Sequence, residues 1–304
     1  MAKLPKAQDY PFLGISAYRW YQLLVRAEEF LPEPFMYFGS RRLADIIRMT
    51  DHRGHEAVLH NLRIILGPDV PEKQIRKLAR GVFYEAAAYI VEFLGQRRWA
   101  RKWLSGRGWD IEGIEHVEQN TAAGRGVMVV SAHFSNWEIG AAILATRGQE
   151  VYVTALEHED PRIDVLFNNL RNMWGYKTMP INESIRLTLD ALRNGKVVTL
   201  LGDRALGLNT VEVEFFGRKM LMPAAPARMA LHTSAALVPA FISREGRNTF
   251  HVKFFPEIRP LEGVEEKQNV KYLVQQYAHT LEEMVRTFPS QWIRFTPIGE
   301  ETPG

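Results

Sequence analysis

The sequence predicts an α/β fold: a mixed, mostly parallel central sheet flanked by helices, with a helical layer at the N-terminus. Three observations predict it. From Pro11 to Ser105 apolar residues recur three and four apart, with no strand-like alternation. After Gly108 short β-rich runs alternate with helical ones, the order of an α/β chain. Those runs are almost continuously apolar, as strands are when a sheet is covered on both faces.

The elements follow in order. "AYRWYQLLVRAEEFL", "RRLADIIRM", "HEAVLHNLRIIL" and "QIRKLARGVFYEAAAYIVEFL" read as amphipathic helices, with breaks where Pro and Gly cluster at "LPEPF", "LGPDVP" and "LSGRG". The strand runs are "GVMVVSA", "EVYVTAL", "KVVTLLGD", "VEVEFFG", "ALVPAFI" and "NTFHVKFFPEI", with helices between several of them. "VKYLVQQYAHTLEEMVRTF" closes the chain as a long covering helix. Residues 1–107 are thus expected to be helical and 108–304 to form the α/β core, the two making one continuous domain.

The chain of 304 residues has no cysteine, which excludes thiolate catalysis, disulfides and cysteine-bound metal. No H-E-x-x-H is present, and no second histidine clusters with His133 to mark a metal site. The net charge of +3 is unevenly placed: residues 1–107 carry 18 Lys and Arg against 11 Asp and Glu, and the remainder is acidic. Such asymmetry suits an anionic surface as partner. Arg97, Arg98, Arg101 and Lys102 gather around Trp99 and Trp103, the composition of a helix lying in a membrane interface. A nucleic acid is not expected, because no recognition motif accompanies the basic region and its aromatics fall at helical spacing. Neither a secretory signal nor a spanning segment is expected. The longest uncharged run, Met229 to Ser243, falls short of the ~20 apolar residues that crossing a bilayer requires.

The chemistry points to one junction. "SAHFSNWEIG" follows the strand run "GVMVV", which sets His133 where a strand gives way to a helix, the usual place for chemistry in an open α/β sheet. Ser135 and Glu138 spell a capping box, S-x-x-E, in which Glu138 reaches back to the Ser135 N–H. Residues five apart within one helix point about 140° away from each other. A His133–Glu138 contact therefore needs His133 to precede the helix, and a cap at Ser135 places it there. Asp203 and Arg204, at the end of "VVTLL", reach the same sheet edge if the strands run parallel.

His133-Phe134-Ser135-Asn136-Trp137-Glu138 resembles the defining motif of the lysophospholipid acyltransferase superfamily, a histidine and an acidic residue with four residues between. More narrowly, the chain is similar to the branch of lipid A late acyltransferases and phosphatidylinositol mannoside acyltransferases. "HNLRIILGPD", Arg171 within "FNNLRNMWGYKTMPI", residues 200–241 with their Asp-strand-Phe-Phe-Gly-Pro pattern, and "FPSQWIRF" carry that likeness. Two features depart from the pattern. The N-terminal hydrophobic anchor common among lipid A acyltransferases is missing, so attachment is expected to be peripheral. "GDRALG" is nearer the mannoside style than the Asp-Gln-Asp style, which leaves the acceptor lipid open.

The resemblance implies an acyltransferase at the cytoplasmic face of the inner membrane. It would move a fatty acyl chain from acyl-CoA or acyl carrier protein to a hydroxyl of a membrane glycolipid or phospholipid, without a cofactor. His133 is then the general base and Glu138 orients it. Arg171 is expected on a phosphate or the thioester carbonyl, with Asp203, Arg204 and Glu212 (or Glu214) also binding substrate. The small residues of "GAAILA" suit an acyl chain lying close. Three other readings stay open: a lipid hydrolase or thioesterase with water as acceptor, a lipid-binding membrane-surface protein without catalysis, and a metal hydrolase with His133, Glu138 and Asp203 as ligands.

Overall fold

The computed structural model describes residues 16–98, 108–180, 184–205, 209–247 and 249–299. Four helices come first: α1 (Ala17–Phe30), α2 (Glu33–Thr50), α3 (His52–Leu66) and α4 (Glu72–Leu94). Pro32 and Pro71 precede α2 and α4, where a missing N–H costs nothing, and Asp51 caps α3 by accepting from the Gly54 N–H. Ala44, Leu59, Leu62, Ala79 and Phe83 join α2, α3 and α4 in one apolar cluster. Trp99, Arg101, Lys102 and Trp103 lie outside the described residues. Arg97 pairs with Glu29 at 2.9 Å, and Arg98 donates to the backbone carbonyls of Glu28 and Leu31.

The remainder alternates: β1 (Trp109–Glu112), α5 (Glu115–Ala122), β2 (Val127–Ser131), α6 (Glu138–Thr146), β3 (Val151–Ala155), α7 (Pro161–Asn172), β4 (Lys177–Pro180), α8 (Ser184–Arg193) and β5 (Val197–Leu201). Then follow β6 (Thr210–Phe215), β7 (Arg218–Pro223), α9 (Ala225–Thr233), β8 (Ala236–Gly246), β9 (Thr249–Phe254) and α10 (Glu266–Thr287).

Seven strands form a sheet in the order β1-β9-β8-β2-β5-β3-β4. β8, β2, β5, β3 and β4 run parallel, while β9 lies antiparallel to β8 and takes β1 with it. The sheet is therefore mixed and mostly parallel. Side-chain alternation divides it between two layers. Val127 and Val129 pack with Ile139 and Leu144 of α6 and Val91 of α4, whereas Met128 and Val130 pack with Ala230 of α9 and Leu281 of α10. Both faces are covered, which is why β2 reads as an unbroken apolar run. α4 shares its cluster with β2, so the helical layer and the sheet meet in one core.

"VEVEFFG" is a strand but not part of that sheet. It is β6, paired antiparallel with β7 in a separate hairpin whose turn holds Gly217 at a φ of +68°. No helix among the described residues is long and apolar enough to cross a membrane.

Candidate active site

β2 and β5 are adjacent and parallel, with Ser131 opposite Leu201. His133 and Asp203 each lie two residues beyond that pair, so the register alone brings them together. After β2 the chain turns towards β3, and after β5 it returns past the hairpin to β8 on the other side of β2. The two residues thus stand at a topological switch point, where divergent connections open a crevice. Gly202 permits the close turn: its N–H donates to the Ser131 carbonyl at 2.7 Å, and a Cβ there would lie 2.7 Å from Val130 Cγ2.

His133 Nδ1 meets Asp203 Oδ1 at 2.8 Å. Trp292 Nε1 donates to the other carboxylate oxygen at 3.1 Å, and Arg294 Nη1 donates to the Asp203 carbonyl at 2.7 Å. Asp203 is fully buried. Burial opposes its charge, but the His133 imidazole and its hydrogen bond, helped by Arg204 and Arg294, hold the carboxyl far below its usual range. For His133 the balance runs the other way. Burial, reinforced by Arg204 and Arg294, outweighs Asp203 and lowers the imidazole's pKa from 6.5. The resting ring is neutral, donates a hydrogen bond from Nδ1–H to Asp203 and keeps a lone pair on Nε2.

The capping box expected at Ser135 and Glu138 does not form. α6 begins at Glu138 with no side-chain cap, and Ser135 sits in the left-handed region at a φ of +46°. Buried carboxylates of α4 claim the loop instead. Ser135 Oγ donates to Glu85 at 2.7 Å, and Asn136 Nδ2 donates to Glu92 at 2.8 Å. Arg244 of β8 binds both acids, at 2.8 Å and 2.5 Å, and the Tyr37 hydroxyl donates to Glu92 at 2.6 Å. On the loop's other side the Ser135 N–H donates to the Gln291 carbonyl, and the Ile293 N–H to the His133 carbonyl, both at 2.8 Å. These bonds hold Ser135 in a backbone conformation that costs about 1–3 kcal/mol.

The contact expected between Glu138 and His133 is likewise replaced. Glu138 accepts from Arg171 Nη2 at 2.8 Å and from the Tyr176 hydroxyl at 2.6 Å. It faces α7 and the approach to β4, while the imidazole turns to β5. Asp203, expected as a substrate contact, is the imidazole's partner. Arg171 is half-buried in this pairing and lies over the Phe93 ring, 5.4 Å from its centroid. Arg204 donates to the Ile293 carbonyl at 2.7 Å. Glu212 is not at the site: it pairs with Lys219 on the exposed face of the hairpin. Glu214 faces outward with it, because Val213 and Phe215 occupy the inward positions. The metal-ligand reading of His133, Glu138 and Asp203 fails for the same reason, since Arg171 and Tyr176 engage Glu138 away from the other two. Among the described residues no group of three or more His, Asp or Glu is placed to hold a metal ion.

A cavity of about 340 Å³ opens on this edge. His133, Glu138, His158, Arg171 and Arg204 are its charged and imidazole lining, and Val129, Leu144, Val153, Ala240, Ile242 and Phe254 are among its apolar walls. Gly140 keeps one wall back, since a Cβ there would approach Ile242 Cδ1 to 3.0 Å. Trp137 sets its edge against His133 and stacks on Tyr89, 4.0 Å between centroids. A second, mainly apolar cavity of about 450 Å³ lies between α1, α2 and α4.

Residues 12–297 match the family model described as bacterial lipid A biosynthesis acyltransferase. A phosphatidylinositol mannoside acyltransferase of Mycobacterium tuberculosis (strain CDC 1551 / Oshkosh) is 29% identical over 62% of this chain and 58% of its own length. Its counterpart in Mycolicibacterium smegmatis is 26% identical over 80% and 79%. The lipid A biosynthesis lauroyltransferase of Escherichia coli (strain K12) is 25% identical over 76% and 75%. The chain matches less than two thirds of the length of the M. tuberculosis relative.

Proposed function

Because the chain belongs to the bacterial lipid A biosynthesis acyltransferase family, we propose that it transfers a fatty acyl group from a thioester of CoA or acyl carrier protein to a hydroxyl of a membrane glycolipid. The observation that carries this reading is the neutral His133 imidazole, fixed by a buried carboxylate and opening on a largely apolar cavity. A glycolipid acceptor is favoured because the relatives are named for a phosphatidylinositol mannoside and for lipid A biosynthesis.

The acyl chain lies along the apolar walls with its thioester carbon near His133. Nε2 takes the proton of the acceptor hydroxyl as its oxygen attacks that carbon, and the carbonyl becomes an oxyanion beside the Arg204 guanidinium. The intermediate expels the thiolate, which recovers the proton from the imidazolium. Asp203 holds the tautomer and stabilises the imidazolium, while Glu138 fixes Arg171 in the cavity wall. No acyl-enzyme is needed.

Attachment to the membrane is peripheral. α1 and α2 expose Phe30, Phe35, Phe38, Ile46 and Met49 and also Arg19, Arg26, Arg41 and Arg42, so the same helices offer apolar anchors and cations for anionic headgroups. The thioester donors place the protein at the cytoplasmic face of the inner membrane.

The test incubates the protein and its His133→Ala variant with labelled acyl-CoA or acyl carrier protein and a total lipid extract. A labelled glycolipid that falls by at least about 10²-fold in the variant supports the reading. Labelled free fatty acid in its place means a hydrolase, and equal product from both proteins removes His133 from the chemistry.

A further inference from the structure

A second imidazole faces the same cavity. His158 lies beyond the carboxyl end of β3, next to β5 in the sheet, and lines the space that His133 lines. Its Nδ1 stands 2.6 Å from Asp164 Oδ1, and its backbone N–H donates to the same carboxylate at 3.1 Å. Phe167 sets its ring edge-on to the imidazole, with centroids 4.8 Å apart. Asp164, Phe167 and Arg171 recur three and four apart on α7, so one helix face carries the groups that fix His158 and Glu138.

In the tautomer that donates from Nδ1 to Asp164, Nε2 is an acceptor. Two imidazoles, each held at Nδ1 by an aspartate, thus line one cavity. His133 is enough to deprotonate an attacking hydroxyl. A second lone pair needs a donor that is not consumed, and a sugar supplies one in a hydroxyl that is not acylated. We propose that His158 is a substrate-contacting residue that accepts a hydrogen bond from a second hydroxyl of a polyhydroxylated acceptor headgroup. The proposal rests on the acyl-transfer reading and extends it to acceptor selection.

Two variants separate this contact from a purely structural part. His158→Asn keeps an amide where Nδ1 stands, and with it the bond to Asp164, but has nothing at Nε2. His158→Gln carries its amide to the Nε2 position. Binding is measured with a phosphatidylinositol mannoside in detergent micelles and, separately, with a non-transferable acyl-CoA thioether. We expect His158→Asn to weaken mannoside binding between about threefold and tenfold, the scale of one neutral hydrogen bond. Thioether binding should stay at the wild-type value, and His158→Gln should recover most of the loss.

Unchanged mannoside binding by His158→Asn overturns the assignment. A loss confined to the thioether overturns it too, and moves His158 to the donor's amide-bearing arm. Wild-type protein that binds both probes but transfers nothing from acyl-CoA or acyl carrier protein sinks the transferase reading and leaves the His158 contact standing. Wild-type protein that does not bind the mannoside overturns the His158 assignment.

Discussion

Burial makes His133 a base at rest, because a desolvated imidazole resists the second proton more than Asp203 can favour it. Its protonation is then not required for the proposed first step of transfer. The acid limb of kcat/KM against pH should lie below 6.5, the ordinary imidazole value, and a limb above that would contradict it. The same sign governs stability: the contribution of His133 is present above 6.5 and is lost as pH falls through the lowered folded value. Asp203→Asn should leave the fold intact by circular dichroism yet reduce kcat on the order of 10³–10⁴-fold, because an amide can settle the imidazole in the wrong tautomer. The sequence made His133 legible through its place after an apolar run. Its partner was harder to find, since Glu138 is five residues away and Asp203 is seventy, and local spacing favours the nearer acid. Only the parallel register of β2 and β5 decides for Asp203. His158 was missed because a lone histidine before a helix carries no spacing signal.

At the scale of elements, α4 locks the loop that carries His133. Glu85 and Glu92 reach the loop from the helical layer, and Arg244 reaches both from β8, so helix, strand and loop share one buried set of charges. Removing the cation leaves two carboxylates facing each other in the core. Arg244→Met should lower unfolding stability by about 3–5 kcal/mol, read from urea denaturation. A loss under about 1 kcal/mol would show that the acids rehydrate. The long helices were readable from their apolar period, and the main strands from their β-branched runs. β1 and β4 were not, because "WDIE" and "KTMP" span only four residues each and owe their strand form to neighbours already in the sheet. β7 escaped for another reason: Met220 and Met222 alternate inward, but methionine carries little strand preference. The capping box failed because a short local bond lost to two acids supplied by a distant helix.

Across the molecule, one buried acid stands apart from the site. Glu28 of α1 lies against Gly95 and 3.6 Å from Arg98, and burial, only partly offset by Arg98, pushes its pKa up to about 7. A raised carboxyl favours the folded state when protonated. Its contribution is therefore full below the unfolded value of 4.5 and disappears as pH rises to about 7. Glu28→Gln should gain in Tm relative to wild type across that interval, and a pH-independent difference would place the carboxyl in water. The N-terminal layer was legible as helices and as a basic surface. Its share in holding the His133 loop was not, because the acids that hold the loop sit on the apolar face of α4, where sequence pattern expects hydrocarbon.

The strand-end pair is completed by Trp292, 89 residues beyond Asp203 in the chain. During synthesis β2 and β5 can pair as soon as Leu201 has left the ribosome, but Asp203 is not fixed until the segment around Trp292 has followed and folded back. Closing so long a loop comes late in folding. A chain that ends before Trp292 therefore contains every strand of the sheet but lacks the indole that fixes Asp203.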